Sequence, residues 1–202
     1  MKKLLFFMLA ALSISLCSCD EDNPVIGGDN PIEDANGQQY SVITKLWQVK
    51  MRRELLIPFS AYVMQVNDRN YLYMIRSRFN HDLRVGDLIT YSIDSYCPNE
   101  ISRINGYDLS DDGEAAEQND GSGGLGYLVA TDPIETRIKS IFSMTIKYSI
   151  SFWPADTWFI ETTDGNLVFV KKSKVNVILA PGDRIVYSKY MLYDEILTLK
   201  KL

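Results

Sequence analysis

The chain has 202 residues, 46% of them apolar and 11% aromatic, and a formal charge of -5. Such a chain can bury a real core in one large or two small domains, which excludes an intrinsically disordered protein. His81 is the only histidine, with Val177 at its place in the second half of the chain, so no Ser-His-Asp triad is expected and the lone mature thiol of Cys97 has His81 as its only conceivable base.

The N-terminus opens with Lys2 and Lys3, an apolar run from Leu4 to Leu16, and then Leu16-Cys17-Ser18-Cys19 followed by Asp20, Glu21 and Asp22. The apolar run is shorter than the roughly 20 residues a bilayer span needs, and charged or strongly polar residues interrupt every later one. The segment resembles the lipobox of bacterial lipoproteins, with Leu three residues before the cysteine and a small residue just before it. That resemblance implies a signal peptide over residues 1–18 and a lipid on Cys19, which becomes the first residue of the mature chain. Cys17 fits less well, because Leu16 would then hold the small-residue position. Acyl chains contribute about 0.8 kcal/mol per buried CH₂, so a multiply acylated terminus is held stably. The acidic residues after Cys19 resemble the export signal of Bacteroidetes surface lipoproteins. They imply an outer-membrane, cell-surface location, with a periplasm-facing anchor as the alternative.

Residues 19–40 read as a flexible tether: Asp20, Glu21, Asp22, Asp29, Glu33 and Asp34 have no Lys or Arg among them, and Gly and Pro intervene. A second acidic, Gly-rich stretch over 108–126 also lacks basic residues. Outside these two segments and the signal stand 19 basic and 14 acidic side chains, so the folded body is mildly basic.

An internal repeat organises that body. A shift of 96 positions superimposes Pro58–Ser92 on Pro154–Ser188 with 11 identities in 35 positions, where ordinary frequencies give roughly two. The identities include Asp68/Asp164, Asn70/Asn166, Gly86/Gly182 and Asp87/Asp183. Repeat 1 is expected over 41–107 and repeat 2 over 127–202, with 108–126 linking them. Tyr62 to Val66 and Tyr71 to Ile75 read as two strands around the turn that holds Asp68 and Asn70; Asp164 and Asn166 mark the matching turn. Gly86-Asp87 and Gly182-Asp183 read as tight turns before strands Leu88–Ser92 and Arg184–Ser188. Met144 to Phe152 alternates apolar and polar residues as a half-buried strand does, and Ile101–Ile104 and Ile196–Leu199 close each copy.

The fold class is therefore all-β. Leu83-x-x-Gly86-Asp87-x-Ile89-x-Tyr91, with its counterpart at Leu179 to Tyr187, resembles the OB-fold type of small barrel. That implies two tandem OB-like barrels; one two-sheet sandwich built from both copies is the alternative. An OB-like barrel often binds oligonucleotides or oligosaccharides. Arg52, Arg53, Arg76, Arg78, Lys171, Lys172 and Lys174, with Tyr73 and Phe169, make the basic and aromatic set that single-strand binding uses. A body charge of only +5 sets nucleic acid aside, leaving these cations as solvent faces and the aromatics as core. Trp153 and Trp158 are candidates for stacking on sugars, but large aromatics are usually core. Asp108-x-Ser110-x-Asp112-Gly113 mimics a calcium loop, yet Asn119 stands where the bidentate Glu belongs. No cofactor, metal or catalytic residue is assigned. Expected is a non-enzymatic envelope lipoprotein that binds a protein or glycan partner. The alternatives are an inhibitor or immunity-type lipoprotein and an enzyme with an inconspicuous carboxylate pair.

Overall fold

The computed structural model describes residues 32–33, 39–52, 58–67, 69–109, 129–147 and 154–202, all within one compact unit spanning Pro31–Leu202. Cys19, the tether's first residues, Asp68, Trp153 and the linker from Ser110 onward lie outside the described residues. Among those described, every regular element longer than a single 3₁₀ turn is a strand.

The strands are β1 (Ile32–Glu33), β2 (Gln39–Arg52), β3 (Pro58–Val66), β4 (Asn70–Ile75), β5 (Leu88–Ile93), β6 (Ile101–Ile104), β7 (Tyr107–Asp108), β8 (Ile134–Ile146), β9 (Ala155–Thr162), β10 (Leu167–Lys171), β11 (Arg184–Lys189) and β12 (Ile196–Lys201). They form two antiparallel sheets in the orders β4-β3-β2-β5-β6-β7 and β10-β9-β8-β11-β12, with β1 added beside β2. Each sheet curls until its third strand meets its fifth in a parallel bridge, Tyr73 with Glu100 and Phe169 with Glu195. Each copy thus closes five strands in the Greek-key order of an OB-like barrel, to which the first copy adds β1 and β7.

The long first strand of each barrel makes closure possible. The start of β2 pairs with β5 and its end with β3, and a bulge between Ile43 and Lys45 divides the two halves. The bulge between Ile138 and Ser140 does the same for β8. An extra residue sharpens the twist, so one strand can serve both sides of a barrel. The bulge also explains why the strand expected from Met144 begins at Ile134, since one inserted residue breaks the period of two; residues 148–152 of that expectation lie outside the described residues.

Side-chain parity then separates three cores. Tyr62, Met64, Val66, Leu72 and Met74 fill barrel 1 with Ile89, Tyr91, Ile101 and Ile104. Ile138, Ile160, Val168, Val170, Ile185, Tyr187 and Ile196 fill barrel 2. The alternate residues, Phe59, Ala61, Val63, Tyr73 and Ile75 against Phe142, Met144, Ile146, Phe159 and Phe169, form a third core between the barrels.

Candidate functional site

The face that OB-like barrels most often give to ligands lies on their second and third strands and the loop before the fifth. Here those strands are β3 and β4 in one copy and β9 and β10 in the other, and their outer faces are pressed together. Tyr71 stacks on Phe142 with centroids 3.7 Å apart and rings 8° from parallel. Phe142 continues onto Phe159 at 5.4 Å, and Phe159 onto Phe169 at 5.5 Å.

Polar contacts at this seam repeat in reciprocal pairs. Lys50 faces Ser60 as Thr145 faces Asp156, so Lys50 and Thr145 are equivalent. The Lys50 N–H donates to Asp194 Oδ2 at 2.8 Å, and the Thr145 N–H to Asn99 Oδ1 at 2.8 Å. Asn99 and Asp194 are equivalent too, since their carbonyls accept from Tyr73 N–H and Phe169 N–H. A contact from copy 1 to copy 2 is thus mirrored by one from copy 2 to copy 1, the signature of an isologous, two-fold interface. The chain carries what amounts to its own dimer.

Cys97 lies on the loop before β6, which buries it in this seam. Its thiol is fully buried, donates to the Thr145 carbonyl at 3.2 Å and lies 3.4 Å from the Tyr73 hydroxyl. Burial pushes the Cys97 thiol up from its ordinary value, which keeps it protonated and a poor nucleophile. Burial, with the Glu100 carboxylate beside it, likewise pushes the Tyr73 phenol far up. Its hydroxyl donates to Glu100 Oε2 at 2.9 Å and accepts from Lys147 N–H at 3.1 Å.

Among the described residues, the basic and aromatic set does not assemble. Tyr73 and Phe169 are buried in the seam. Arg76 covers the Tyr62 ring, Arg78 donates to the Leu109 carbonyl, Lys172 lies 4.5 Å over Trp158 and Lys174 donates to Glu195. Arg53 and Trp153 lie outside the described residues.

The turn residues hold the scaffold. Asn70 opens β4, and the Asn166 carbonyl accepts from Thr162 N–H at 2.9 Å. Asp164 Oδ2 accepts from the Thr136 hydroxyl at 2.7 Å. The Gly86-Asp87 and Gly182-Asp183 turns match bond for bond: Gly86 N–H to Ile43 and Gly182 N–H to Ile138, each at 2.8 Å. Asp87 Oδ2 accepts from Arg84 N–H and Asp183 Oδ2 from Ala180 N–H, again at 2.8 Å in both. Gly86 and Gly182 sit at φ of 96° and 92°, where side chains are strained, so glycine is a backbone requirement.

Among the described residues, barrel 1 has an open cleft of about 330 Å³, lined by Phe79, His81, Asp82, Asp87, Leu88 and Tyr107 among others. Three rings meet there: Phe79 stands edge to face with His81 at 5.3 Å and with Tyr107 at 5.8 Å, and His81 and Tyr107 are tilted by 48° at 4.9 Å. Phe79 is buried, whereas Tyr107 is 51% exposed and offers its ring to solvent. The turn of Asn105 and Gly106, with φ of 49° and 83°, sets Tyr107 beside the Gly86-Asp87 turn. Sequence reasoning found Asp87 but not Phe79, Asp82 or Tyr107, because the cleft joins segments distant along the chain. Among the described residues, no group of three or more His, Cys, Asp or Glu is placed to hold a metal. Compared with known proteins, the chain matches no family model, no curated protein and no solved structure.

Proposed function

We propose that this chain is a non-enzymatic, lipid-anchored module of the cell envelope that binds or assembles with a protein or glycan partner. The observation that carries this reading is the division of labour between its surfaces. The faces that OB-like barrels commonly use are consumed in the seam, which joins the barrels through an apolar core and paired hydrogen bonds. An open, ring-lined cleft is left on barrel 1 as the recognition surface. Aromatic walls with polar groups at their rim suit partner recognition. Burial of Tyr73 and Phe169 removes the stacking platform that single-stranded nucleic acid would need. The anchor rests on Leu16-Cys17-Ser18-Cys19 and the acidic residues after it.

The anchor is tested by metabolic labelling with an alkyne fatty acid in cells expressing the full chain. Label should enter the wild type and be lost in Cys19→Ala; label retained in Cys19→Ala overturns lipidation at that residue. Protease added to intact cells should remove the body of residues 41–202. Survival on intact cells with digestion after lysis would place the body facing the periplasm instead.

A further inference from the structure

The duplication supplies an internal control for the barrel-1 cleft. Tyr91 pairs with Ile104 as Tyr187 pairs with Leu199, so two residues further on, Gly106 is the counterpart of Lys201 and Tyr107 that of Leu202. In barrel 2 the Lys201 ammonium lies on the turn aspartate, 2.6 Å from Asp183 Oδ2, and donates to the Ile178 carbonyl at 3.1 Å. That ion pair holds the Asp183 carboxyl below its usual range. Barrel 1 keeps the turn and its aspartate, Asp87, but replaces the lysine with Gly106. No cation among the described residues pairs with Asp87, and the space is the cleft.

The walls change in step. Val175, Val177, Ile178 and Leu202 of barrel 2 become Phe79, His81, Asp82 and Tyr107 in barrel 1. Three aliphatic positions turn aromatic and the fourth gains a carboxylate. Aromatic faces beside a carboxylate attract an organic cation through the ring quadrupole as well as through charge. The Asp82 carboxylate is 79% exposed and only 3.9 Å from Arg76 at its nearer oxygen, which leaves it open to a second cation.

We infer that the barrel-1 cleft binds an alkylammonium group, seated on Asp87 against Tyr107 and His81, where barrel 2 carries its own Lys201. This deepens the binding-module reading and rests on it, by naming the chemistry the partner must present. A lysine side chain of a partner protein and a free or headgroup amine share that chemistry.

The test is a ¹H–¹⁵N NMR titration of the full chain in a maltoside detergent, which carries no ammonium. The probes are Nα-acetyl-lysine amide, choline, and 3,3-dimethylbutan-1-ol, the neutral carbon isostere of choline. Both cations should shift amides of residues 81–88 and 105–107, with choline at least tenfold tighter than the alcohol. Tighter binding of the lysine amide points to a protein partner, and tighter binding of choline to a free or headgroup amine. Asp87→Asn, which keeps an acceptor for Arg84 N–H, should weaken both cations at least tenfold. Tyr107→Leu, at a half-exposed position, should weaken choline several-fold with the fold intact. Equal binding of choline and the alcohol, cation affinity unchanged in both variants, or no shift at any soluble concentration overturns the inference. The fatty-acid label on Cys19 is read separately, so failure of the anchor and failure of the cleft are distinguishable.

Discussion

The seam between the barrels and the turn that opens the fourth strand of each barrel (β5 and β11) are built from the same duplicated residues, yet they diverged in opposite ways. At the seam, both copies contribute large apolar groups, and their polar contacts pair reciprocally. At the Gly-Asp turns the backbone matches bond for bond and Leu83/Leu179 and Asp87/Asp183 are kept, while Phe79, His81, Asp82 and Tyr107 stand where barrel 2 has Val175, Val177, Ile178 and Leu202. A two-fold seam constrains both copies at once, since each residue must fit its partner's equivalent surface. A barrel end meets only solvent, so once its turn is secure its side chains can take on separate roles.

The largest expected effect breaks the seam. Phe142 touches Trp47 and Tyr71 of barrel 1 and Phe159 of its own barrel. Phe142→Ala should cost about 3–5 kcal/mol, as deletion of a buried aromatic does, measured by urea unfolding. One cooperative transition at lower urea is the expected result. Two separated transitions with an unchanged first midpoint would show that the barrels fold without the seam.

A smaller effect separates the copies at one position of β3 and β9. Glu161 is buried and bonded by Lys139 Nζ at 2.6 Å and Ser140 Oγ at 2.7 Å, with Lys45 of barrel 1 at 3.8 Å. Burial works to raise its carboxyl, but the Lys139 and Ser140 bonds outweigh it and hold the group below its usual range. A carboxyl lowered by folding adds stability above its unfolded value of about 4.3, and that stability is lost as pH falls through the folded value. Glu161→Gln should cost roughly 1–3 kcal/mol at pH 7 and progressively less toward pH 3. Gln65 is the barrel-1 counterpart and does not ionise, so Gln65→Ala should leave the pH profile of stability unchanged. A pH-independent loss in Glu161→Gln would remove the ionic account.

The turns should respond alike where the cleft does not. Gly86→Ala and Gly182→Ala each force a side chain into left-handed backbone, at about 1–2 kcal/mol, with open space around the added methyl. Near-equal shifts in unfolding midpoint are expected from the two. A much larger loss in one would show that its turn carries more than backbone geometry.

How much of this was legible along the chain follows the range of the interactions. The hairpin turns and the Gly-Asp turns are local, and their residue chemistry marks them. The seam is not local, although its trace is present. Tyr71-Leu72-Tyr73-Met74-Ile75 and Leu167-Val168-Phe169-Val170 are apolar at every position, which marks strands covered on both faces, whereas β8 alternates as a half-covered strand does. The bulge at Lys139 hid the start of β8 by shifting its period. The exchange of Lys201 for Gly106 was invisible to an ungapped comparison ending at Ser188, because the equivalent residues stand 95 apart there.

The smallest expected effect tests whether Lys201 is what distinguishes barrel 2. Lys201→Met keeps the aliphatic stem and removes the ammonium from Asp183. Without it the Asp183 carboxyl should rise toward its ordinary value, followed by ¹³C NMR of the side-chain carboxyl against pH. The sign is fixed by the present lowering: the Lys201 pair favours the folded state above the ordinary aspartate range and fades as the carboxyl takes up its proton. Both side chains reach solvent, so screening keeps the consequence for stability small, and the titration is the sensitive readout. The barrel-2 amides around Asp183 should still not shift with choline in Lys201→Met, because Val175, Val177 and Leu202 present no aromatic face. If barrel 2 of this variant binds choline as barrel 1 does, the aspartate alone is sufficient and the rings of Phe79, His81 and Tyr107 are packing rather than recognition.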